Sequence, residues 1–148
     1  MIEAGAPAPD FTLVDQHGGH VSLSDFRGRT VLLAFYPADF SPVCTDQLSV
    51  YQDRLGEFED RAVQVLGISV DGAFCHKAFA NQLGLTIPLL ADFHPKGEVA
   101  KAYGLWSDEF GESGRGLVLV GPEGGVEWAH EAGPLELPAP ELVFAALA

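Results

Sequence analysis

The sequence predicts a single α/β domain in which a central mixed sheet carries helices on both faces and begins with an N-terminal hairpin. Continuous apolar runs at 30–36 and 63–70 are typical of strands that are covered on both faces. Between them, from Val43 to about Asp60, apolar residues recur at helical spacing. The 148 residues contain no repeat or linker, so residues 1–148 are interpreted as one domain.

Each element of the first half follows from a local pattern. Alternating runs flank a His-Gly-Gly turn between residues 10 and 26, which predicts a β-hairpin. Pro37 ends the first buried strand, and a loop leads to the first helix. The apolar face of that helix consists of Leu48, Tyr51, Leu55 and Phe58. A helix of four to five turns is therefore predicted before the second buried strand.

The second half predicts two more helices, a hairpin and a terminal helix. Residues 73–83 and, more briefly, 96–103 have helical periodicity. The apolar positions of the first of these are Phe74, Ala78, Phe79 and Leu83. The strands GLVLV and GVEWAH, separated by GPEGG, predict a closing hairpin, and prolines precede an apolar C-terminal helix. The predicted order is β-β-β-α-β-α-α-β-β-α.

The charge balance is strongly acidic, with 8 Lys and Arg against 21 Asp and Glu and a net charge of −13. Nucleic acid and anionic membrane surfaces are therefore disfavoured as partners, whereas a small neutral substrate meets almost no electrostatic penalty. No apolar run approaches the roughly 18–20 residues of a membrane span. The N-terminus lacks a basic start and a continuous apolar stretch. We therefore expect a cytoplasmic protein in a reducing compartment.

The segment PADFSPVCT, residues 37–45, places Cys44 after a strand and in the first turn of a long helix. Unpaired N–H groups and the positive end of the helix dipole favour a thiolate there. Pro37 and Pro42 hold the loop in a fixed shape, and Pro42 also supports a helix start. The alternative is a buried cysteine that serves as a small apolar residue. The combination of strand, proline loop, hydroxyl residue and helix start favours an activated thiolate.

This segment resembles the active-site signature of the peroxiredoxins, Pro-x-x-x-Thr/Ser-x-x-Cys, which reads here as Pro37, Ser41 and Cys44. Further similar segments are APDFTL at 8–13, ISVD at 68–71, Cys75-His76, PLLAD at 88–92, AYG at 102–104 and GRGLVLV at 114–120. Within the family the chain resembles the bacterioferritin-comigratory and one-cysteine alkyl hydroperoxide reductase E branches. The resemblance implies a thioredoxin-like fold and a peroxidase, without a cofactor, that reduces hydrogen peroxide and organic hydroperoxides.

The resemblance also implies a role for each site residue. The Cys44 thiolate would attack the terminal peroxide oxygen and become a sulfenic acid. The Ser41 hydroxyl and the amides around Val43 would donate to the peroxide, and Arg115, the only lysine or arginine after residue 101, would supply the cation. Gln47 would orient Arg115. Serine lacks the methyl group of the commoner threonine, so we expect a less preorganised hydroxyl at position 41 and slower turnover.

The second cysteine, Cys75, has three possible roles: a resolving thiol, a residue near a homodimer interface, or a half-buried packing residue. The positions where two-cysteine relatives carry a resolving cysteine correspond here to Ser49 and Ala80. The resemblance therefore implies a one-cysteine mechanism. The reductant would be a low-molecular-weight thiol or a thioredoxin-like or glutaredoxin-like protein, and the protein a homodimer.

Two other functions compete with a peroxidase. The same fold could serve as a non-enzymatic thiol module, such as a redox sensor or a holdase-like binding protein. Metal binding is the other alternative, through Cys75, His76, His94 and His130. No pair of these residues has the usual C-x-x-C or H-x-x-x-H spacing, so we expect no metal site.

Overall fold

The chain folds into nine strands and five α-helices, and the computed structural model describes all residues, 1–148. In chain order the elements are β1 (Thr12–Val14), β2 (His20–Ser22), β3 (Thr30–Phe35), α1 (Pro42–Asp53), α2 (Leu55–Asp60), β4 (Val63–Ser69), α3 (Ala73–Leu83), β5 (Leu89–Ala91), α4 (Glu98–Ala102), β6 (Trp106–Ser107), β7 (Glu112–Ser113), β8 (Arg115–Val120), β9 (Val126–Ala132) and α5 (Pro140–Leu147). A 3₁₀ turn at Leu23–Phe26 follows β2.

Seven strands form one mixed sheet in the order β2-β1-β5-β4-β3-β8-β9. Strands β3, β4 and β5 are parallel, while β8 runs antiparallel to β3 and β9 antiparallel to β8. The predicted N-terminal hairpin is confirmed, because β1 and β2 pair antiparallel. The two remaining strands, β6 and β7, form a separate small hairpin.

The central strand β3 contributes to both hydrophobic cores. Leu32 and Ala34 pack with helices α1, α2, α3 and α5 on one face of the sheet, and Leu33 and Phe35 pack on the other face with α4 and the N-terminal segment. Successive side chains of a strand point to opposite faces, so a strand covered on both sides must be apolar throughout. The prediction of helices on both faces is thereby confirmed.

The single helix predicted from Val43 to about Asp60 is two helices. The backbone of Arg54, at φ −100° and ψ 10°, leaves the helical region and ends α1 at Asp53. Gly56, a weak helix former, follows two residues later. Leu55 and Phe58 still pack against the same core as α1, so the apolar periodicity continues across the break.

Helix α3 has the predicted bounds, but its predicted apolar face is wrong at Phe74, whose side chain is 91% exposed, and at Ala78, which is also exposed. The inward positions are His76, Phe79, Ala80 and Leu83, which have the i, i+3, i+4, i+7 spacing of one helix face. His76 is fully buried because both of its ring nitrogens have hydrogen-bond partners. A polar residue therefore occupies the first core position of this helix.

Three short strands are absent from the predicted order, and α4 is shorter than the predicted 96–103. Strand β5 has three residues, and β6 and β7 have two each. Such lengths are too short to produce a recognisable period of two.

None of the helices is long and apolar enough to cross a membrane.

Candidate active site

Cys44 is the third residue of α1, and the loop that follows β3 leads directly to it. Pro42 occupies the first helical position, and Ser41 before it has extended backbone angles. The first helical hydrogen bond runs from the Thr45 amide to the Ser41 carbonyl, at 2.9 Å. The amides of Val43 and Cys44 donate to no acceptor in the chain. The first turn thus presents two free N–H groups beside the sulfur.

Arg115 is the first residue of β8, and its guanidinium contacts the Cys44 sulfur. Nη2 lies 3.3 Å from Sγ and 3.1 Å from the Pro134 carbonyl oxygen, and Nη1 donates to Oε1 of Gln47 at 2.7 Å. Cys44, Gln47 and Arg115 are all buried. A guanidinium in contact with a buried sulfur stabilises negative charge on that sulfur. Three of the predicted site residues therefore lie together.

The hydroxyl of Ser41 has a partner other than the sulfur. Its Oγ donates to the carbonyl of Ala38 at 2.8 Å, and the Thr45 hydroxyl donates to the Ser41 carbonyl at 2.9 Å. Both bonds tie the active-site loop to the start of α1. The donation from Ser41 to a peroxide oxygen stays a prediction.

A buried network that the sequence did not indicate anchors the same loop. Asp39 accepts a hydrogen bond from the Tyr36 hydroxyl at 2.6 Å, and its second oxygen lies 2.6 Å from Nδ1 of His76. Nε2 of His76 lies 3.1 Å from the Leu90 carbonyl oxygen. Both ring nitrogens of His76 therefore have oxygen partners, as a fully buried imidazole requires.

Asp71 extends this network to Cys75. One of its oxygens accepts from the Asp39 amide at 2.8 Å and from the Ser69 hydroxyl at 2.6 Å, and the other lies 3.9 Å from Sγ of Cys75. Burial, followed by the nearby carboxylates of Asp39 and Asp71, raises the pKa of the Cys75 thiol to about 12. Both cysteines of the chain are free. Cys75 is thus a neutral thiol at physiological pH.

The four residues considered for metal binding do not form one cluster. The three side chains with possible ligand atoms within 4.8 Å of one another are Asp39, Asp71 and Cys75, without any histidine. Both nitrogens of His76 are engaged as described, and Nε2 of His130 lies 3.6 Å from a Glu136 oxygen. His76 and His130 therefore have partners other than a metal ligand set.

A pocket of about 410 Å³ adjoins the buried guanidinium. Its walls are Pro37, Ser107, Phe110, Glu112, Ser113, Gly114, Arg115, Glu131, Ala132, Gly133 and Pro134. The small β6–β7 hairpin supplies one wall, and the end of β9 with the following residues supplies another. Neither wall was predicted, because the hairpin strands are too short to recognise and the residues after β9 bear no motif. Arg115 connects the pocket to the cysteine, because its Nη2 contacts the Cys44 sulfur.

Comparison with known proteins gives consistent results. The family model of the AhpC/TSA family matches residues 4–129. Alkyl hydroperoxide reductase E of Mycobacterium tuberculosis is 41% identical over 138 residues, which are 93% of this chain and 90% of the relative. Chloroplastic peroxiredoxin Q of Triticum aestivum is 41% identical over 130 residues, 87% of this chain and 59% of that protein.

Solved structures agree with the fold. The peroxidoxin BcpB of Mycobacterium tuberculosis superposes with a TM-score of 0.89 at 26% identity, covering 99% of this chain and 97% of that one. AhpC of Enterococcus faecalis gives a TM-score of 0.90 at 28% identity, covering 99% and 91%. With the family model spanning most of the chain and a relative aligned over nine-tenths of both sequences, the chain belongs to the AhpC/TSA family and is a peroxiredoxin, a thiol-dependent peroxidase.

Proposed function

We propose that Cys44 is the peroxidatic residue, which reduces hydrogen peroxide and organic hydroperoxides through a sulfenic acid. The observation that carries this proposal is the 3.3 Å contact between Nη2 of Arg115 and Sγ of Cys44 at the first turn of α1. A thiolate is the reactive form of cysteine, and both the guanidinium and the helix N-terminus favour it.

In the proposed reaction the Cys44 thiolate attacks the terminal oxygen of the peroxide. A sulfur–oxygen bond forms as the oxygen–oxygen bond breaks, and the remaining oxygen takes a proton and leaves as water or an alcohol. Complete ionisation of an ordinary thiol increases the thiolate fraction at pH 7 by only about 30-fold. Further acceleration requires donors that stabilise the charge growing on the leaving oxygen.

The site contains groups suited to act as those donors. Arg115 would contribute its guanidinium, and Val43 and Cys44 would contribute their free amides. The Ser41 hydroxyl would have to rotate from the Ala38 carbonyl to a peroxide oxygen. Gln47 would hold Arg115 through Nη1. Pro37, which ends the β3 segment and lines the pocket, would exclude water from the reacting atoms.

We propose that an external thiol reduces Cys44. Cys75 is a poor candidate for the resolving residue, because its raised pKa keeps it a neutral thiol. The reductant would be a thioredoxin-like protein, a glutaredoxin-like protein or a low-molecular-weight thiol. A thioredoxin peroxidase of Echinococcus granulosus, 39% identical over 130 residues, supports a thioredoxin-like protein.

Two free cysteines also suit the reducing conditions of the cytoplasm, which we propose as the compartment.

We propose a homodimer that covers the exposed aromatic side chains around Cys75. Phe74 is 91% exposed, Phe93 60% and Phe40 48%. Phe74 is the neighbour of Cys75 in sequence, the Phe93 ring lies against Gly72 at the start of α3, and the Phe40 ring packs against Phe79 of the same helix. Large apolar side chains exposed in one region indicate an interaction surface. Sedimentation of the wild type and of Phe74→Ser tests this proposal, and a monomeric wild type would exclude it.

The peroxidase proposal is tested by the rate at which hydrogen peroxide oxidises Cys44. A rate no faster than that of free cysteine would favour the non-enzymatic thiol module.

Mass spectrometry after one equivalent of peroxide tests the one-cysteine mechanism. We expect one added oxygen on Cys44, whereas a quantitative disulfide between Cys44 and Cys75 would make Cys75 the resolving residue.

A further inference from the structure

The pocket beside Arg115 carries two carboxylates that form no ion pair. Glu112, on β7, and Glu131, on β9, both line it. The ion pairs of the chain involve other residues, so neither glutamate has a basic partner within 4 Å. A substrate that reaches Cys44 through this pocket would therefore pass two negative charges.

Two lysines near the β6–β7 hairpin do not line the pocket. Lys101 holds its ammonium over the Trp106 ring, 4.9 Å from the ring centre, and Lys96 approaches Gly111; neither lysine lines the cavity. Arg115 does line it, but contacts with Gln47, Cys44 and the Pro134 carbonyl hold its guanidinium at the inner wall of the pocket. A Cys44 thiolate would balance the charge of that guanidinium. The outer part of the pocket is thus negative.

The remaining walls suit an uncharged apolar group. Phe110 is 70% exposed at the β6–β7 hairpin, and Pro37, Ala132 and Pro134 add apolar surface. A volume of about 410 Å³ lies within the range of small-molecule sites and is larger than a molecule of hydrogen peroxide requires. An alkyl or aromatic group attached to a hydroperoxide could occupy this space while its terminal oxygen reaches the sulfur.

We propose that Glu112 and Glu131 are specificity-determining residues that make this peroxidase prefer uncharged organic hydroperoxides over those that carry a carboxylate. The proposal rests on the proposed role of Cys44. A carboxylate about 7 Å from an anion in a water-like medium lowers the local anion concentration about threefold. Two such groups lower it about tenfold, and salt reduces the effect because the Debye length falls to about 3 Å at 1 M.

The test uses three hydroperoxides with one skeleton: cumene hydroperoxide, its para-carboxylate and its para-aminomethyl derivative. At low salt we expect the carboxylate to oxidise Cys44 about tenfold more slowly than the neutral compound, and the ammonium compound at least as fast. The ammonium compound controls for size, because it is no smaller than the carboxylate. High salt should bring the three rate constants together.

The variant Glu112→Gln/Glu131→Gln should bring the carboxylate-to-neutral ratio within about twofold of unity. Each ratio is normalised to the same variant's rate with hydrogen peroxide, so a general loss of reactivity cancels. Glu127→Gln removes the same charge from β9 outside the pocket and should keep the wild-type ratio. Equal rates for all three hydroperoxides at low salt, with a fast hydrogen peroxide reaction, would overturn this inference alone. Slow reaction with every peroxide would overturn the proposed role of Cys44 as well.

Discussion

Nη2 of Arg115 lies 3.3 Å from Sγ of Cys44, although 71 positions separate the two residues in the chain. Sheet pairing accounts for this proximity. Strand β8, which begins with Arg115, runs antiparallel to β3, and Gly116 is opposite Phe35 at the end of β3. The loop to Cys44 starts at that same end. Arg115, the first residue of β8, therefore meets the first turn of α1, the helix that follows the neighbouring strand β3.

Substitution of the proposed nucleophile should abolish catalysis. Cys44→Ser removes the sulfur that accepts the peroxide oxygen, and Cys75, with a pKa near 12, cannot replace it. We expect no peroxide consumption above the uncatalysed rate in metal-free buffer. Cys75→Ser is the matched control and should retain the wild-type rate. Rapid turnover by Cys44→Ser would refute the mechanism.

Arg115→Lys should lower the rate of Cys44 oxidation by roughly 10- to 100-fold. An ammonium cannot contact Gln47, the sulfur and the Pro134 carbonyl at once, as the planar guanidinium does. Stopped-flow measurement with hydrogen peroxide gives the rate. Arg29→Lys, at an exposed position, controls for the exchange itself. Equal rates for both variants would leave Arg115 a structural role only.

Removal of the buried histidine should destabilise the fold. His76→Leu leaves the Asp39 carboxylate buried without the imidazole that lies 2.6 Å from its Oδ2. Loss of one partner of such a buried pair typically costs about 3–5 kcal/mol. Urea denaturation measures the change in the free energy of unfolding. His17→Leu, on an exposed turn, should change it by less than about 0.5 kcal/mol. A similarly small change for His76→Leu would contradict the proposed anchoring of the loop.

The three tyrosines of the chain should ionise only when it unfolds. Burial raises the pKa of Tyr36, Tyr51 and Tyr103, with nearby Asp39 acting further on Tyr36 and Asp10 on Tyr103. Their stabilising contribution is complete below about pH 10, the ordinary pKa, and is lost as pH rises above it. Tyrosinate absorbance should therefore appear in one step that coincides with the loss of circular dichroism. A tyrosine that titrates near pH 10 in the folded protein would contradict this expectation.

The thiol of Cys75 should be unreactive at moderately alkaline pH. Its pKa of about 12 leaves little thiolate at pH 8, so iodoacetamide should alkylate it about 100-fold more slowly than free cysteine. The Cys44→Ser variant isolates this reaction. Asp71→Asn removes one of the two carboxylates and should accelerate alkylation. Labelling of Cys75 as fast as free cysteine would exclude the proposed environment.

The larger elements of the fold were predictable because burial on both faces and helical periodicity leave clear patterns. The strands β3 and β4 and the bounds of α3 follow from such patterns. The break at Arg54 does not, because Leu55 and Phe58 keep the same core contacts on either side of it. Elements of two or three residues are stabilised by their neighbours in space, which local sequence does not report.

The candidate site was predictable in part for a similar reason. Cys44 has a local signal, since strand, proline loop and helix start are contiguous, and its family motif extends to Ser41 and Pro37. The pair of Asp39 and His76 has none, because its partners are 37 positions apart and each alone resembles an ordinary polar residue. Buried hydrogen-bond networks depend on tertiary geometry, so a pattern of residue types cannot reveal them.

The opposite surroundings of the two sulfurs predict that oxidative damage accumulates at Cys44. Cys44 contacts a guanidinium, whereas Cys75 lies near the carboxylates of Asp39 and Asp71. Once Cys44 is a sulfenic acid, a second peroxide would carry it to the irreversible sulfinic and sulfonic acids unless reductant arrives first. In the proposed one-cysteine mechanism Cys75 stays neutral, so no internal disulfide would protect that sulfenic acid. In that mechanism the working lifetime of each molecule would depend on two rates at the Cys44 sulfur: reduction by the external thiol and oxidation by a second peroxide.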